Sequence, residues 1–370
     1  MGIAALMVVL AAPAQAQPVD QSKAAFALRY VASPKMTRTE VKLERIFAGP
    51  GRFTLESGDE RCKGPIKKAA ISSHYCFDTN DANSREPWVP QGVSHVSDAR
   101  SAGVWRGREP VILSWYHRKG EHGADAVQLT FVDQNLKYRH VRLVVPTRNG
   151  KDYTQVTDVH AGGVLWYGRY IYVTETKRGL RVFDTNEIYR GKGADGYVMP
   201  QVGRWQTRTA SDSDDYCRGA NPDPRFSYVG IDRTSRSHRI LVGEYCGSND
   251  GDSRNGRVVA YPAEDGKPVT RRGQAVPGKV LMLPGQNVQG VAHDGRFWYL
   301  SQTGRGKTGP SYLRRTKENP ATGALQDDKV VEAPTGAEDL SLERDRGMLW
   351  SVTEFDDVGR TLYTMSKTLG

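Results

Sequence analysis

Beyond its first residues this chain has no long apolar run, and it is poor in cysteine, with four in 370 residues. The first absence excludes a bundle of membrane-spanning helices, because each span needs about 20 consecutive apolar residues. The second, with no Cys-x-x-Cys pair anywhere, excludes the common structural zinc sites. No Gly-x-Ser-x-Gly elbow occurs, so a serine hydrolase of that architecture is excluded as well. Gly304-Arg305-Gly306-Lys307-Thr308 ends like a phosphate-binding loop but lacks the first glycine at the required spacing. Lys and Arg outnumber Asp and Glu by 52 to 42, a net charge of +10 that favours anionic ligands. Those basic residues are spread out, with no dense stripe interleaved with aromatics, and nucleic acid is not an expected partner.

What the chain has in quantity is β-structure punctuated by turns. Its 39 Gly and 19 Pro are scattered rather than clustered, and 38% apolar residues suffice for a core. One phrase recurs five times: a Gly-led or apolar lead-in, a short β-rich run, a small polar residue, then usually Glu or Gln. The clearest copy runs from His160-Ala161-Gly162-Gly163-Val164 to Tyr172-Val173-Thr174-Glu175 and Gly179-Leu180-Arg181-Val182-Phe183. The others pair Gln91-Gly92-Val93 with Leu113-Ser114-Trp115, and Phe226-Ser227-Tyr228 with Val242-Gly243-Glu244. Gln289-Gly290-Val291 goes with Leu300-Ser301-Gln302, and Glu338-Asp339-Leu340 with Ser351-Val352-Thr353-Glu354. A long period of multi-strand units marks radial β architecture.

The units start at residues 91, 160, 226, 289 and 338, and all but the last leave room for four strands. The last holds three, and a spare strand is expected over Val41–Phe47. If that strand completes the last sheet, no edge is left open. The reading is an all-β, five-bladed β-propeller closed by an N-terminal strand, with residues 57–90 as a disulfide-pinned excursion. Six blades follow if that excursion hides strands. The expected organisation is a signal peptide over 1–16, a flexible segment over 17–40, and one propeller domain over 41–370. The leader expectation rests on the apolar stretch Ile3–Ala12 and the small-x-small sequence Ala14-Gln15-Ala16. Export makes the cysteines disulfides, with the sequential pairings Cys62–Cys76 and Cys217–Cys246 favoured among three.

The repeat region resembles secreted bacterial β-propeller proteins. In architecture it is similar to five-bladed enzymes such as the arabinanase-type glycosidases and the calcium-dependent apyrases. The Asp/Asp/Glu triad of the arabinanase type has no counterpart here, since the lead-ins carry Gln91, His160, Phe226-Ser227-Tyr228, Gln289 and Glu338-Asp339. The resemblance therefore implies a fold and leaves the chemistry to the residues.

In such a ring the starts of the first strands and the ends of the second strands share one mouth. The expected catalytic set there is His160, Tyr228, Glu338, Asp339, Glu175, Glu244 and Glu354. Gln91, Gln289, Gln302, Trp115, His117 and Arg178 are expected to bind substrate. In an acidic-polysaccharide lyase, His160 or Tyr228 takes the proton α to a carboxylate that an Arg or a cation neutralises. In a glycoside hydrolase, two carboxylates act as acid and base. The lyase is slightly preferred. A non-catalytic glycan- or protein-binding propeller is the alternative, and a metal-dependent phosphoester hydrolase a third. Asp214, Asp215, Asp250 and Asp252 flank the second cysteine pair and are candidate Ca2+ ligands. The bland reading of each is a role in packing, capping or a solvated turn. The expected protein is a secreted, extracellular monomer acting on a polysaccharide or glycoside.

Overall fold

In a computed structural model of the protein, the residues described are 23–62, 71–119, 123–193, 196–208, 217, 223–247, 254–304, 309–356 and 359–370. The expected leader over 1–16 lies outside them. The described chain is all-β apart from short helical turns.

Antiparallel pairing groups most of its strands into meanders of four, with short parallel pairings between some of their fourth strands. Meander I comprises Trp88–His95, Val111–Lys119, Gly123–Val132 and Lys137–Pro146. Meander II is Val164–Tyr167, Tyr170–Glu175, Gly179–Asp184 and Tyr197–Thr207. Meander III is Tyr228–Asp232, His238–Gly243, Arg257–Glu264 and Lys279–Met282. Meander IV is Val288–His293, Trp298–Gln302, Ser311–Asn319 and Ala324–Ala333. Meander V takes three strands from the C-terminal region, Ser341–Glu343, Met348–Val352 and Thr361–Ser366. Its fourth, Ser73–Cys76, comes from the other end of the chain.

That fourth strand corrects the expectation for Val41–Phe47. Leu43–Arg45 is a turn of 3-10 helix. Leu43, Ile46 and Phe47 are buried while Lys42 and Arg45 are exposed. Spacings of three and four are helical, and they outweigh the alternation that suggested a strand. Within the segment expected to be a flexible lead-in, Leu28–Ala32 is a strand lying antiparallel to Tyr197–Thr207. Both favoured disulfides form, Cys62–Cys76 and Cys217–Cys246, each with Cα atoms 5.6 Å apart.

Each meander shares a core with the next. Trp166 and Phe131 pack between I and II, Tyr172 and Val229 between II and III, and Leu241 and Val291 between III and IV. Tyr299 and Leu349 fill the space between IV and V, and Val352 and Leu362 meet Leu113 and Trp115 between V and I. The last core closes the circle. Burying each such side chain contributes about 1.5–3 kcal/mol, so the hydrophobic stabilisation is spread around a ring. This is β-propeller architecture.

The recurrent glycine of the lead-in allows the first strands to meet at the axis. A Cβ on Gly92 would fall 2.4 Å from the backbone N of Val164, and one on Gly163 at 2.4 Å from that of Val229. The recurrent small polar residue locks neighbours together. Ser114 Oγ accepts from Gly92 N (2.9 Å) and donates to Ala161 O in the next unit (2.8 Å). Thr174 Oγ1 repeats this between Gly163 N (2.9 Å) and Ser227 O (3.1 Å).

Candidate functional site

The two ends of the axis differ. At one, the buried Asp98 accepts from Ser94 Oγ (2.9 Å), Ser341 Oγ (2.6 Å) and Arg344 Nη1 (3.0 Å). Arg344 also donates to Ile231 O at 2.9 Å, and Arg233 donates to Asp98 O at 2.8 Å. Three meanders, I, III and V, are tied there by one carboxylate and two guanidinium groups.

The other end gathers the lead-ins. His160 is open to water there, with its ring centroid 4.6 Å from that of Tyr116. Desolvation by the surrounding mouth, with the charges of Arg225 and Arg118, lowers the imidazole pKa to about 4. The ring is therefore neutral, with a free lone pair, at neutral pH. Burial raises the Tyr116 phenol, so it keeps its proton, although the adjacent Arg118 opposes the shift.

Two carboxyls stand beside this pair. Glu354 is half-buried, and its Oε2 accepts from Gln91 Nε2 at 3.4 Å. Burial raises its pKa to about 7, opposed by Arg118 and Gln91. Glu338 is fully buried and accepts from Gln289 Nε2 at 3.2 Å through Oε1, while Oε2 has no partner among the described residues. Burial, then Glu354 and Asp339, push its carboxyl well above the usual range. Water reaches only one of the two.

The remaining expected residues lie elsewhere. Asp339 is fully buried on the axis, where its oxygens accept from Leu340 N (2.9 Å) and Val164 N (3.2 Å) and its own N–H donates to Gln91 O (3.3 Å). It clamps first strands together. Tyr228 is also fully buried, its ring filling the space where Gly243 has no side chain. Burial holds its phenol far above the ordinary pKa, which unfits it as a base.

Glu175, Glu244 and Gln302 face the third strands of their own meanders. Glu175 accepts from Arg181 Nη2 at 3.0 Å and lies 3.9 Å from Arg178. Glu244 takes Arg257 bidentately, through Nε and Nη2 at 2.7 Å each. Gln302 accepts from Arg314 Nη1 at 2.6 Å and donates to Gln286 O at 2.7 Å. Trp115 is fully buried against Phe77, out of reach of a sugar ring. His117 pairs with Asp125 at 2.6 Å and packs on Trp88. Arg178 is exposed at the rim.

Among the described residues, no three His, Cys, Asp or Glu side chains stand close enough together to hold a metal ion. Asp214, Asp215, Asp250 and Asp252 lie outside the described residues. No helix among the described residues is long and apolar enough to cross a membrane.

Tyr116, Arg118 and Arg225 are the mouth residues that the repeat did not single out. Arg118 follows His117 at the end of a second strand, so position could have found it. Tyr116 and Arg225 carry no repeat signal.

No protein-family model and no curated protein matches the chain. Among solved structures, it is similar to the GH43_1 enzyme from Xanthomonas citri complexed with xylotriose. The identity is 10%, with 82% of this chain and 92% of that chain covered and a TM-score of 0.43. It is also similar to the hydrazine synthase of Kuenenia stuttgartiensis (15% identity, 65% and 70% covered, TM-score 0.32). A glucose dehydrogenase gives 12% identity, 72% and 80% coverage and a TM-score of 0.31. Likenesses this distant bear on neither substrate nor site.

Proposed function

We propose that the protein is an exported, five-bladed propeller enzyme that cleaves an acidic polysaccharide or glycoside by elimination at the mouth holding His160. The observation that carries this reading is the pairing of a neutral imidazole with a protonated phenol 4.6 Å away, in the field of two arginines. Arg118 and Arg225 neutralise the substrate carboxylate, which acidifies the carbon-bound proton next to it. His160 takes that proton, the C–O bond to the leaving sugar breaks, and a carbon–carbon double bond forms. Tyr116 donates the proton that the leaving oxygen needs, and water returns the proton from His160 to Tyr116. Glu354 and Gln91 position the Arg118 side of the mouth.

Export is supported by the two disulfides and by the leader-like sequence at 1–16. The propeller is proposed to act as a single domain and as a monomer. A second reading, glycoside hydrolysis, draws support from the Glu338–Glu354 pair, whose raised pKa values hold a proton at neutral pH. It has the weaker support, because only Glu354 reaches water.

Incubation with polygalacturonate, alginate and hyaluronan tests both. Elimination leaves unsaturated ends that absorb in the ultraviolet, in step with new reducing ends. Reducing ends without that absorbance select hydrolysis. Saturable binding with no product of either kind replaces both with the non-catalytic alternative.

A further inference from the structure

Away from the mouth, on the outer side of meander I, lies a cleft of about 450 Å³. Its floor is the third and fourth strands of that meander. Its walls are the 45–53 segment and the start of Tyr197–Thr207. Arg45, Arg139, Arg142 and Arg190 all line it, and no described residue of its lining is acidic.

The wall is preorganised. Arg139 is buried and donates to the carbonyls of Arg45 and Pro50, and Arg190 lies over the Tyr197 ring at 4.4 Å. His140 is held on both nitrogens, by Asp81 Oδ2 (2.8 Å) and Thr130 Oγ1 (2.7 Å), so its ring is a fixed surface. Gln128, also buried, donates to Asn83 O at 3.0 Å while its Oε1 has no partner among the described residues. The arginines also repel one another. Burial lowers the Arg139 pKa, and the charges of Arg52 and Arg190 add to that effect. Like charges held this close destabilise the empty cleft, and an anion relieves them.

We propose that this cleft is a binding site for an oxyanion-bearing saccharide unit, a sugar acid, sulfate or phosphate, separate from the mouth. The guanidinium groups take the anionic group, and the Gln128 carbonyl and the Tyr197 face suit sugar hydroxyls and a ring. The volume is in the range of small-ligand sites. The proposal stands whether or not the mouth is catalytic.

Calorimetric titration of the full protein with glucuronic acid, glucose 6-sulfate, glucose 6-phosphate, glucose and inorganic phosphate tests it, at low and physiological salt. The expected result is saturable binding of at least one charged sugar, tighter than inorganic phosphate, with none for glucose. Arg190→Gln and Arg45→Gln should each weaken it by roughly tenfold, as loss of one charge-assisted contact does. His160→Ala should leave it unchanged. The proposal is overturned if no charged sugar binds, or if phosphate alone binds as tightly. It is equally overturned if His160→Ala, and not the arginine variants, abolishes binding.

Discussion

Glu244 and Glu354 both end a second strand, yet they live in different electrostatic surroundings. Glu244 follows the small residue Gly243 directly, and its side chain turns back onto Arg257. Glu354 lies three residues beyond Ser351, and Arg360 bonds its backbone carbonyl at 2.8 Å. Its carboxyl is left to the mouth. Glu244→Ala would strand a buried guanidinium and should cost about 3–5 kcal/mol in a denaturant titration. At temperatures where it stays folded, that variant should keep the activity of the wild type.

Glu354 makes the opposite prediction. Its folded pKa of about 7 exceeds the ordinary 4.5. A carboxyl raised in this way contributes stability below its unfolded pKa, and that contribution is lost as pH rises through 7. Glu354→Gln stays neutral, so between pH 5 and 8 it should lose less stability than the wild type. The expected difference is about 1–2 kcal/mol, below the full shift because water reaches the group. Equal pH dependence in the two proteins would remove the raised pKa from the account. His160, neutral above pH 4, adds no limb near its ordinary pKa to a rate profile.

Among elements, the strand Ser73–Cys76 decides whether the ring closes. It pairs with Thr361–Ser366 in the register Cys76 to Thr361 and Ser73 to Thr364. Cys76 is bonded to Cys62, whose carbonyl accepts from Thr361 Oγ1 at 2.8 Å. Removing the bridge in a Cys62→Ser, Cys76→Ser variant frees a short loop in the unfolded chain. It should cost about 3 kcal/mol, read as a fall in the unfolding midpoint. An unchanged midpoint would show that pairing alone holds the closing strand. The need for such a strand was legible, because the last repeat had three strands where the others had four. Its location was not: Ser-His-Tyr-Cys has neither length nor alternation, and its pairing is long-range. The glycine of each lead-in was legible as a repeat, but its purpose, backbone contact at the axis, appears only when neighbours are in place. The arginines opposite Glu175, Glu244 and Gln302 recur in the third strands, at Arg181, Arg257 and Arg314. Read with those second-strand ends, they mark pairs within each sheet instead of a catalytic ring.

For the whole molecule, symmetry and its failures do different work. Where the units agree, the residues hold strands together: glycines at the axis, hydroxyls between neighbours, arginine pairs within a sheet. The hydrogen bonds around Asp98 tie one end of the axis together, so the proposed site lies at the other. Where the units disagree, at His160, Tyr116 and Glu354, side chains with unusual protonation face that entrance. The departure at His160 was visible in the sequence, and Arg118 could have been found from its place at the end of a second strand; its phenol partner Tyr116 and Arg225 carry no repeat signal. The net positive charge adds long-range attraction for an acidic polymer, and it should weaken with salt. The central claim is that His160 is the base at this mouth. Its most direct test is the initial rate of ultraviolet-absorbing product from an acidic polysaccharide, with wild type beside His160→Ala and the wild-type fold checked by circular dichroism. The account predicts that the folded variant loses at least about a hundredfold in rate, as removal of a general base does. Product formed at the wild-type rate by the folded His160→Ala protein would contradict it.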